Sequence, residues 1–339
     1  MASASLLILR RSLNFLTPDL EPLVYNSCVF LVTGGVGFIG SHVVERLLRD
    51  GHRVRVLDNF SSGTQENLAF GRGKPRLEVV EGDIREFSAT LAAVRGVEVI
   101  FHQAAMRWVP RSIDDPIGAN ENNVTGTLNI LRAAREAGVR RVVYASSSSI
   151  YGARPDLPNR EDQSPAPISP YAVSKLAGEL YCAAWSRLYG LETVALRYFN
   201  VFGPRQDPTS QYAAVIPRFI AWALRGEPLE VHGDGTQSRD FTYIDNVVEA
   251  NLLAASAPGG VGEMFNVGCG SRVSLLEIIR LLEGIVGRPL ERRHTARRAG
   301  DVPNTLADIA KAKRFLGYVP LVDFGAGLRR TAEFFKASG

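Results

Sequence analysis

The sequence predicts an α/β protein built on a doubly wound parallel sheet, with a smaller α/β lobe toward the C-terminus. From residue 29 onward, short apolar runs alternate with helical stretches, which is the pattern of βαβ units whose sheet is covered by helices on both faces. The runs lie at 29–32, 54–57, 77–80, 99–102, 141–146 and 193–196. After Asn200 the alternation weakens and turns rich in glycine and proline become frequent, which predicts a separate second lobe.

A glycine loop follows the first apolar run directly. It reads Thr33-Gly-Gly-Val-Gly-Phe-Ile-Gly40, so glycines stand at 34, 37 and 40 where a strand leads into a helix. Glycines at this spacing allow a tight turn and a close approach of the backbone to a pyrophosphate, which the free N–H groups of the helix N-terminus bind. We therefore expect a Rossmann-type dinucleotide site. A Walker-type NTPase is excluded, because no Gly-Lys-Ser/Thr sequence ends the loop.

Asp58 ends the second apolar run and indicates which dinucleotide binds. A carboxylate at this point accepts hydrogen bonds from the adenosine ribose hydroxyls and repels a 2′-phosphate. The sequence thus predicts NAD in preference to NADP.

These patterns divide the chain into three parts. We expect an NAD-binding domain over residues 28–199 and 240–258, and a second lobe over 200–239 and 259–339. Residues 1–27 precede the first strand pattern and are expected to form a disordered extension.

Composition bounds the classes of protein and partner. The chain has 339 residues, 45% of them hydrophobic, and a net charge of +4, as expected of a globular chain without the roughly 20 consecutive apolar residues of a membrane span. Its cysteines, Cys28, Cys182 and Cys269, lie far apart and form no Cys-x-x-Cys pair, so we expect a reducing cytoplasm and no metal site. A basic cluster at 288–298 favours a solvated face or a site for a small phosphorylated ligand over nucleic acid, because no aromatic residues are interleaved with it.

A serine, a tyrosine and a lysine form the predicted catalytic set. Ser147 follows the apolar run 141–146, and Tyr171 and Lys175 stand four residues apart at a predicted helix start, so they share one helix face. A phenol with a pKa of about 10 is a poor base unless positive charge stabilises its phenolate. Lys175 and an oxidised nicotinamide would supply that charge, and Ser147 would orient or relay the proton.

Taken together, these motifs resemble the extended short-chain dehydrogenase/reductase family and, within it, the UDP-sugar 4-epimerases. The resemblance covers residue 29 to about 336. Beyond the motifs above it rests on Gly82-Asp83-Ile84, His102-Gln103-Ala104-Ala105, Asn122-Asn123-Val124, Arg197-Tyr198-Phe199-Asn200, Arg239-Asp240 and Arg298-Ala299-Gly300-Asp301. It implies that the second lobe binds the nucleotide sugar.

The resemblance also assigns site residues. It implies that the cofactor is bound by Gly34, Gly37, Phe38, Ile39, Gly40, Asp58, Asn59, Asp83, Ile84, Gln103, Ala104, Ala105, Asn123, Tyr171, Lys175 and Tyr198. It implies that the UDP-sugar is bound by Ser147, Ser148, Ser149, Asn200, Val215, Arg239, Arg298, Asp301 and Thr305. Arginines suit this task because their forked donors match a diphosphate.

The residues after Ser147 bear on the type of reaction. Related dehydratases carry an Asp-Glu pair there and related decarboxylases a Glu at the second position, whereas this chain has Ser148 and Ser149. Without that base a neighbouring carbon is not deprotonated, so hydride return to a 4-keto sugar, and thus epimerisation at C4, is expected. A uronic acid 4-epimerase, a dehydratase or decarboxylase, and a non-catalytic NAD-sensing regulator remain as alternatives.

Two further expectations follow from the resemblance. Thr305 takes the position beside the C2 substituent of the sugar, where a small residue admits an N-acetyl group, which predicts UDP-GlcNAc and UDP-GalNAc as substrates. Family members commonly dimerise through two helices, here expected at 114–137 and 171–189, and the second carries an apolar stripe of Leu176, Leu180, Ala184 and Leu188. We therefore expect a homodimer.

Overall fold

The computed structural model describes residues 29–208, 214–296, 302 and 304–338. Its central sheet contains β1 (Val29–Thr33), β2 (Arg53–Asp58), β3 (Leu77–Glu81), β4 (Val97–His102), β5 (Arg141–Ser147) and β6 (Glu192–Tyr198), with the later strand β11 (Glu263–Val267) at one edge. The strand order is β3-β2-β1-β4-β5-β6-β11, and all neighbouring pairs are parallel. The predicted doubly wound parallel sheet is confirmed.

Helices cover both faces of this sheet. The helices between its strands are α1 (Phe38–Arg49), α2 (Phe87–Val94), α3 (Val109–Asp114), α4 (Pro116–Asn120), α5 (Gly126–Glu136), α6 (Pro170–Tyr189) and α8 (Ile244–Ser256). Side chains alternate along each strand, so Phe30 and Val32 pack on the side of α1 and α8, whereas Leu31 packs on the side of α2, α5 and α6. Complete burial of such a side chain stabilises the fold by about 1.5–3 kcal/mol.

The second lobe combines short strand pairs with helices. Strand β7 (Val201–Phe202) pairs with β10 (Thr242–Tyr243), β8 (Leu229–His232) with β13 (Arg292–Thr295), and β9 (Ser238–Arg239) with β12 (Val273–Ser274). The helices are α7 (Val215–Arg225), α9 (Leu275–Val286), α10 (Ala310–Leu316) and α11 (Phe324–Ser338). Helix α9 begins at a capping box, in which Ser274 and Glu277 each accept the other's backbone N–H, and this fixes where the helix starts.

One strand of the main sheet comes from the range that we assigned to the second lobe. Strand β11 pairs with β6 from Glu263 opposite Val194 to Val267 opposite Tyr198. The polar residues Glu263 and Asn266 interrupt its apolar pattern, so the run did not resemble a buried strand. The expected segment 259–339 therefore includes the edge strand of the NAD-binding sheet.

Two other expectations concern helices and the N-terminus. The helix expected at 114–137 is present as one continuous helical stretch from Pro116 to Glu136, in which a π-helical turn at Glu121–Thr125 joins α4 to α5. No helix in the described part of the chain is both long and apolar enough to cross a membrane. The expected extension, residues 1–27, lies outside the described residues.

Candidate active site

A cavity of about 300 Å³ opens at the carboxyl ends of the central strands. It lies where β1 has β2 on one side and β4 on the other, the point of a doubly wound sheet at which ligands bind. Its wall includes these predicted cofactor residues: Gly34, Gly37, Phe38, Ile39, Gly40, Asp58, Asn59, Ile84, Gln103, Ala104, Ala105, Tyr171, Lys175 and Tyr198. Residues from six separate segments of the sequence thus meet around one space.

The glycine loop leaves bare backbone toward this cavity. Gly34 has a φ of +68°, and a Cβ there would meet the backbone nitrogen of Ala104 at 2.7 Å. A Cβ on Gly40 would collide with the carbonyl oxygen of Gly34, so helix α1 starts directly against the loop. The glycines therefore let the backbone turn tightly into the first turn of α1, and the loop fits a dinucleotide.

Asp58 is held at the edge of the cavity by the backbone. One carboxylate oxygen accepts from the N–H of Val36 at 3.0 Å and the other from the N–H of Phe60 at 2.9 Å. Burial raises the pKa of Asp58, and these two hydrogen bonds lower it in part. A carboxylate has about four acceptor positions, so capacity remains for the two ribose hydroxyls of NAD.

Two predicted cofactor residues do not line the cavity wall. The carboxylate of Asp83 accepts from Asn59 at 2.8 Å and from Arg85 at 2.7 Å, and Arg85 above all lowers the pKa of Asp83 to about 2. Asn123 is buried, with its amide bonded to both backbone polar groups of Met106 and to Ser174. Their direct neighbours Ile84 and Asn122 line the wall instead, so Asp83 and Asn123 orient the residues around the cavity.

The three predicted catalytic residues converge beside the cavity. Ser147 ends β5 and its side chain hydrogen-bonds the phenol of Tyr171. Tyr171 lies in the first turn of α6, where its backbone N–H is satisfied by Ser112 Oγ at 3.0 Å. The Nζ of Lys175 lies 5.9 Å from the centre of the Tyr171 ring. The predicted arrangement of phenol, hydroxyl and ammonium is therefore present in the structure.

Burial sets the protonation of this cluster. It raises the pKa of Tyr171, which the hydrogen bond from Ser147 and the charge of Arg107 lower in part. Burial also lowers the pKa of Lys175 to about 8, although the neighbouring acidic groups Cys182 and Glu179 raise it in part. Both shifts work against the ion pair that a phenolate base needs, so added positive charge in the cavity is required to ionise Tyr171.

Sequence reasoning missed several residues of the cavity wall, among them Arg107, Trp108, Gln206 and Asp207. Arg107 and Trp108 follow the His102–Ala105 motif, and Gln206 and Asp207 lie in the loop after β7. The guanidinium of Arg107 stacks on Trp108, 4.4 Å from the centre of the ring. Its Nε has no hydrogen-bond partner among the described residues. Burial lowers the pKa of Arg107, and the nearby carboxylate of Asp207 raises it in part. Trp108 has a φ of +79°, which is strained for a bulky residue. For Arg107 and Trp108, the signal available in the sequence was that they closely follow the His102–Ala105 motif.

A second cavity of about 250 Å³ meets the first at Val201 and Ala214. Three predicted substrate residues, Asn200, Val215 and Arg239, line it, and Arg218 and His232 add polar groups. Its apolar wall, which the sequence did not predict, consists of Phe219, Trp222, Phe241 and Leu275. Such a mixture suits a flat base and a charged linker. The predicted residues Arg298 and Asp301 lie outside the described residues.

The remaining predicted substrate residues lie near these cavities. The hydroxyl of Thr305 accepts from the amide of Asn200 at 3.0 Å, so Thr305 is one contact away from the second cavity. Ser148 and Ser149 follow Ser147 in a tight turn, and the Ser149 N–H donates to Ser147 Oγ at 3.1 Å. The buried Ser149 hydroxyl has no partner among the described residues, and neither Ser148 nor Ser149 lines the wall of the two cavities.

A metal site was not expected, and the described residues contain no cluster of three or more histidine, cysteine or carboxylate side chains suited to one.

Comparison with known proteins places this site in a family. The sequence profile of the NAD dependent epimerase/dehydratase family matches residues 30–268. The UDP-glucose 4-epimerase of Mycolicibacterium smegmatis is 43% identical over 308 residues, which are 90% of this chain and 98% of that protein.

Solved structures agree with the profile. The UDP-N-acetylglucosamine 4-epimerase of Methanobrevibacter ruminantium, in complex with UDP-N-acetylmuramic acid, has a TM-score of 0.88 and 36% identity, covering 93% of this chain and all of that one. The UDP-glucuronic acid 4-epimerase of Bacillus cereus, with NAD, has a TM-score of 0.85 and 33% identity, covering 92% of this chain and all of that one. This chain belongs to the NAD-dependent epimerase/dehydratase family of enzymes.

Proposed function

We propose that this protein is a UDP-hexose 4-epimerase that retains NAD and interconverts UDP-GlcNAc with UDP-GalNAc, and also UDP-glucose with UDP-galactose. The observation that carries the proposal is the cluster of Ser147, Tyr171 and Lys175, which opens into the dinucleotide cavity beside a second, nucleotide-sized cavity. The relatives named above act on UDP-sugars at C4, which supports the same reaction here.

Each residue of the cluster has its own role in the proton transfer. Tyr171 takes the proton from the C4 hydroxyl of the sugar and later returns it, while Ser147, which bonds the phenol, orients that hydroxyl. Lys175 favours the phenolate through its charge. The glycine loop and Asp58 would hold NAD, which when bound would supply reversible hydride transfer at C4. The second cavity holds the UDP moiety through Arg239, and the sugar turns between the two transfers where this cavity meets the first, beside Asn200.

The residues after Ser147 favour epimerisation over elimination. Ser148 and Ser149 offer hydroxyls where a dehydratase needs a carboxylate to deprotonate C5. A 4-keto sugar that cannot lose a proton at C5 is instead reduced again at C4.

Thr305 supports the N-acetylated sugars as substrates. It is small, and its bond to Asn200 places it next to the second cavity. One solved relative is a UDP-N-acetylglucosamine 4-epimerase bound to an N-acetylated UDP-sugar.

UDP-uronic acids are a second candidate, because Arg107 brings a buried guanidinium with an unpartnered Nε to the cavity wall. A sugar carboxylate would satisfy it. Asp207 lines the same cavity and would repel that carboxylate, which favours neutral hexoses.

A panel of substrates tests the proposal. We expect the purified enzyme to convert UDP-GlcNAc to UDP-GalNAc at least as well as UDP-glucose to UDP-galactose, and both better than UDP-glucuronate, with products identified by proton NMR. Uronate turnover above hexose turnover would select the second candidate. A 4-keto-6-deoxy product or released carbon dioxide would replace epimerisation by elimination or decarboxylation, and no product from any sugar would leave an NAD-binding regulator.

We also propose that the enzyme is a homodimer through α3, α4 and α6. Large apolar side chains on these three helices are exposed, among them Ile113 at 61%, Ile117 at 71% and Leu180 at 62%, and α6 packs against both α3 and α4. A second copy would cover this patch. Sedimentation velocity should show that the wild type is a dimer and that Leu180→Glu is a monomer. A monomeric wild type would contradict the proposal.

A further inference from the structure

A buried ion pair lies directly behind the catalytic cluster. Glu179 on α6 and Arg197 on β6 form two parallel hydrogen bonds of 2.9 and 2.8 Å, and their side chains are 2% and 3% exposed. The remaining guanidinium nitrogen donates to the Tyr151 hydroxyl at 2.8 Å, which in turn donates to Asn266 at 2.7 Å. Burying two charges costs stability unless every polar atom is paired, and here the pairing is extensive.

This ion pair is hydrogen-bonded to the end of β5 that carries Ser147. The hydroxyl of Ser146 donates to Glu179 at 2.5 Å, and the Nζ of Lys175 donates to the carbonyl of Ala145 at 2.8 Å. Two residues one helical turn apart on α6 therefore hold the two β5 residues that precede Ser147. Because Arg197 fixes Glu179 from the neighbouring strand, the positions of Ser147, Lys175 and Tyr171 depend on one another through this network.

Glu179 also affects the charge on Lys175. The groups that face Lys175 are Tyr144 from β5, with the ammonium 5.1 Å from its ring centre, His102 from β4, Tyr171, and Cys182 with Glu179 on α6. Burial lowers the pKa of His102 to about 3, so it stays neutral, and burial raises the pKa of the Cys182 thiol, so it also stays neutral. Glu179, held in an ion pair by Arg197, is thus the carboxylate of this set.

We propose that Glu179 is a positioning residue for the catalytic cluster: held by Arg197, it fixes the end of β5 that carries Ser147 and supplies the negative charge that keeps Lys175 protonated beside Tyr171. The role follows from hydrogen bonds by which Glu179 ties α6 to two strands, β5 and β6. It concerns residues behind the cavity, which touch neither predicted ligand.

The direct test measures the charge on Lys175 without any substrate. With [13Cε]lysine in the protein, the resonance of Lys175 is assigned as the one that Lys175→Met removes, and its shift is followed against pH. A nearby carboxylate favours the ammonium form, so in Glu179→Gln we expect the midpoint of Lys175 to fall by about one pH unit or more below that of the wild type. Arg197→Met removes the opposing charge and should not lower the midpoint.

A matched control separates this role from loss of stability. Glu192 pairs with Arg141 at 2.7 Å across the same two strands, at their amino ends. Glu192→Gln should lower the melting temperature and leave the midpoint of Lys175 unchanged. If Glu179→Gln does not fold, Glu179→Gln combined with Arg197→Met removes both charges, and we expect a midpoint below that of the wild type.

Turnover provides a second readout, which rests on the proposed epimerase activity. In Glu179→Gln we expect kcat to fall roughly 10- to 100-fold through misplacement of Ser147, with KM little changed and with the alkaline limb of the pH profile moved to lower pH. Ser146→Ala should lower kcat less and leave that limb in place.

An unshifted Lys175 resonance in folded Glu179→Gln, or in the double variant, would overturn the inference. Equal downward shifts in Glu179→Gln and Arg197→Met would also overturn it, because a purely structural pair affects both alike. A shifted resonance in an enzyme that epimerises no UDP-sugar would uphold the inference and reject the proposed function.

Discussion

Replacement of Tyr171 by phenylalanine should reduce epimerisation by at least ~100-fold, the usual scale of a lost acid–base group. The phenol bonds Ser147 and lies beside Lys175, so its hydroxyl is the group in the cluster that can take the C4 proton. The ring keeps its place on α6, and UDP and NAD should bind nearly as in the wild type. Single-turnover rates and calorimetric UDP binding measure the two effects separately.

Two variants bracket this result. Tyr181→Phe removes a hydroxyl on the same helix, where the ring packs on Trp185 away from the cavity, and should leave turnover unchanged. Ser147→Ala should reduce turnover less than Tyr171→Phe, because the phenol remains as the base. Near-normal epimerisation by Tyr171→Phe would reject the proposed mechanism.

Replacement of Thr305 by tyrosine should abolish turnover of UDP-GlcNAc and UDP-GalNAc while UDP-glucose and UDP-galactose are still converted. A phenol ring at this position would occupy the space beside Asn200 that the sugar's C2 substituent needs. The bulk of the N-acetyl group makes the effect selective. Steady-state kinetics on both sugar pairs measure it.

The bond between Thr305 and Asn200 requires a control of its own, since tyrosine also removes it. Thr305→Val keeps the volume and loses the hydroxyl, so it shows what the lost hydrogen bond does by itself. We expect Thr305→Val to weaken both sugar pairs alike and Thr305→Tyr to discriminate between them. Equal losses for both pairs in Thr305→Tyr would place the pocket wall elsewhere.

The sequence predicted what depends on local spacing. Strands and helices alternate because each apolar run is short and each amphipathic stretch is long, and six of the seven sheet strands were recognised within a few residues. The glycine loop, Asp58 and the pair of Tyr171 and Lys175 carry their meaning in their spacing, since a turn needs glycine at set positions and residues four apart share a helix face.

Residue order alone did not show which side chains reach the cavity. Asp83 and Asn123 belong to recognised motifs but bond to other protein groups, while their neighbours Ile84 and Asn122 line the wall. Adjacent residues point their side chains in different directions. A motif therefore identifies the segment that lies at the cavity more reliably than it identifies the side chains that face the cavity.

By itself, the sequence determined the fold class and the dinucleotide and predicted the catalytic set, because each depends on short motifs with characteristic spacing. Only the tertiary structure decided the rest: strand β11 at the edge of the main sheet, Arg107 and Trp108 in the cavity wall, and the ion pair of Glu179 with Arg197 behind the cluster. These features join residues that are distant in sequence. Their energies come from packing and desolvation, which depend on where distant segments meet in space.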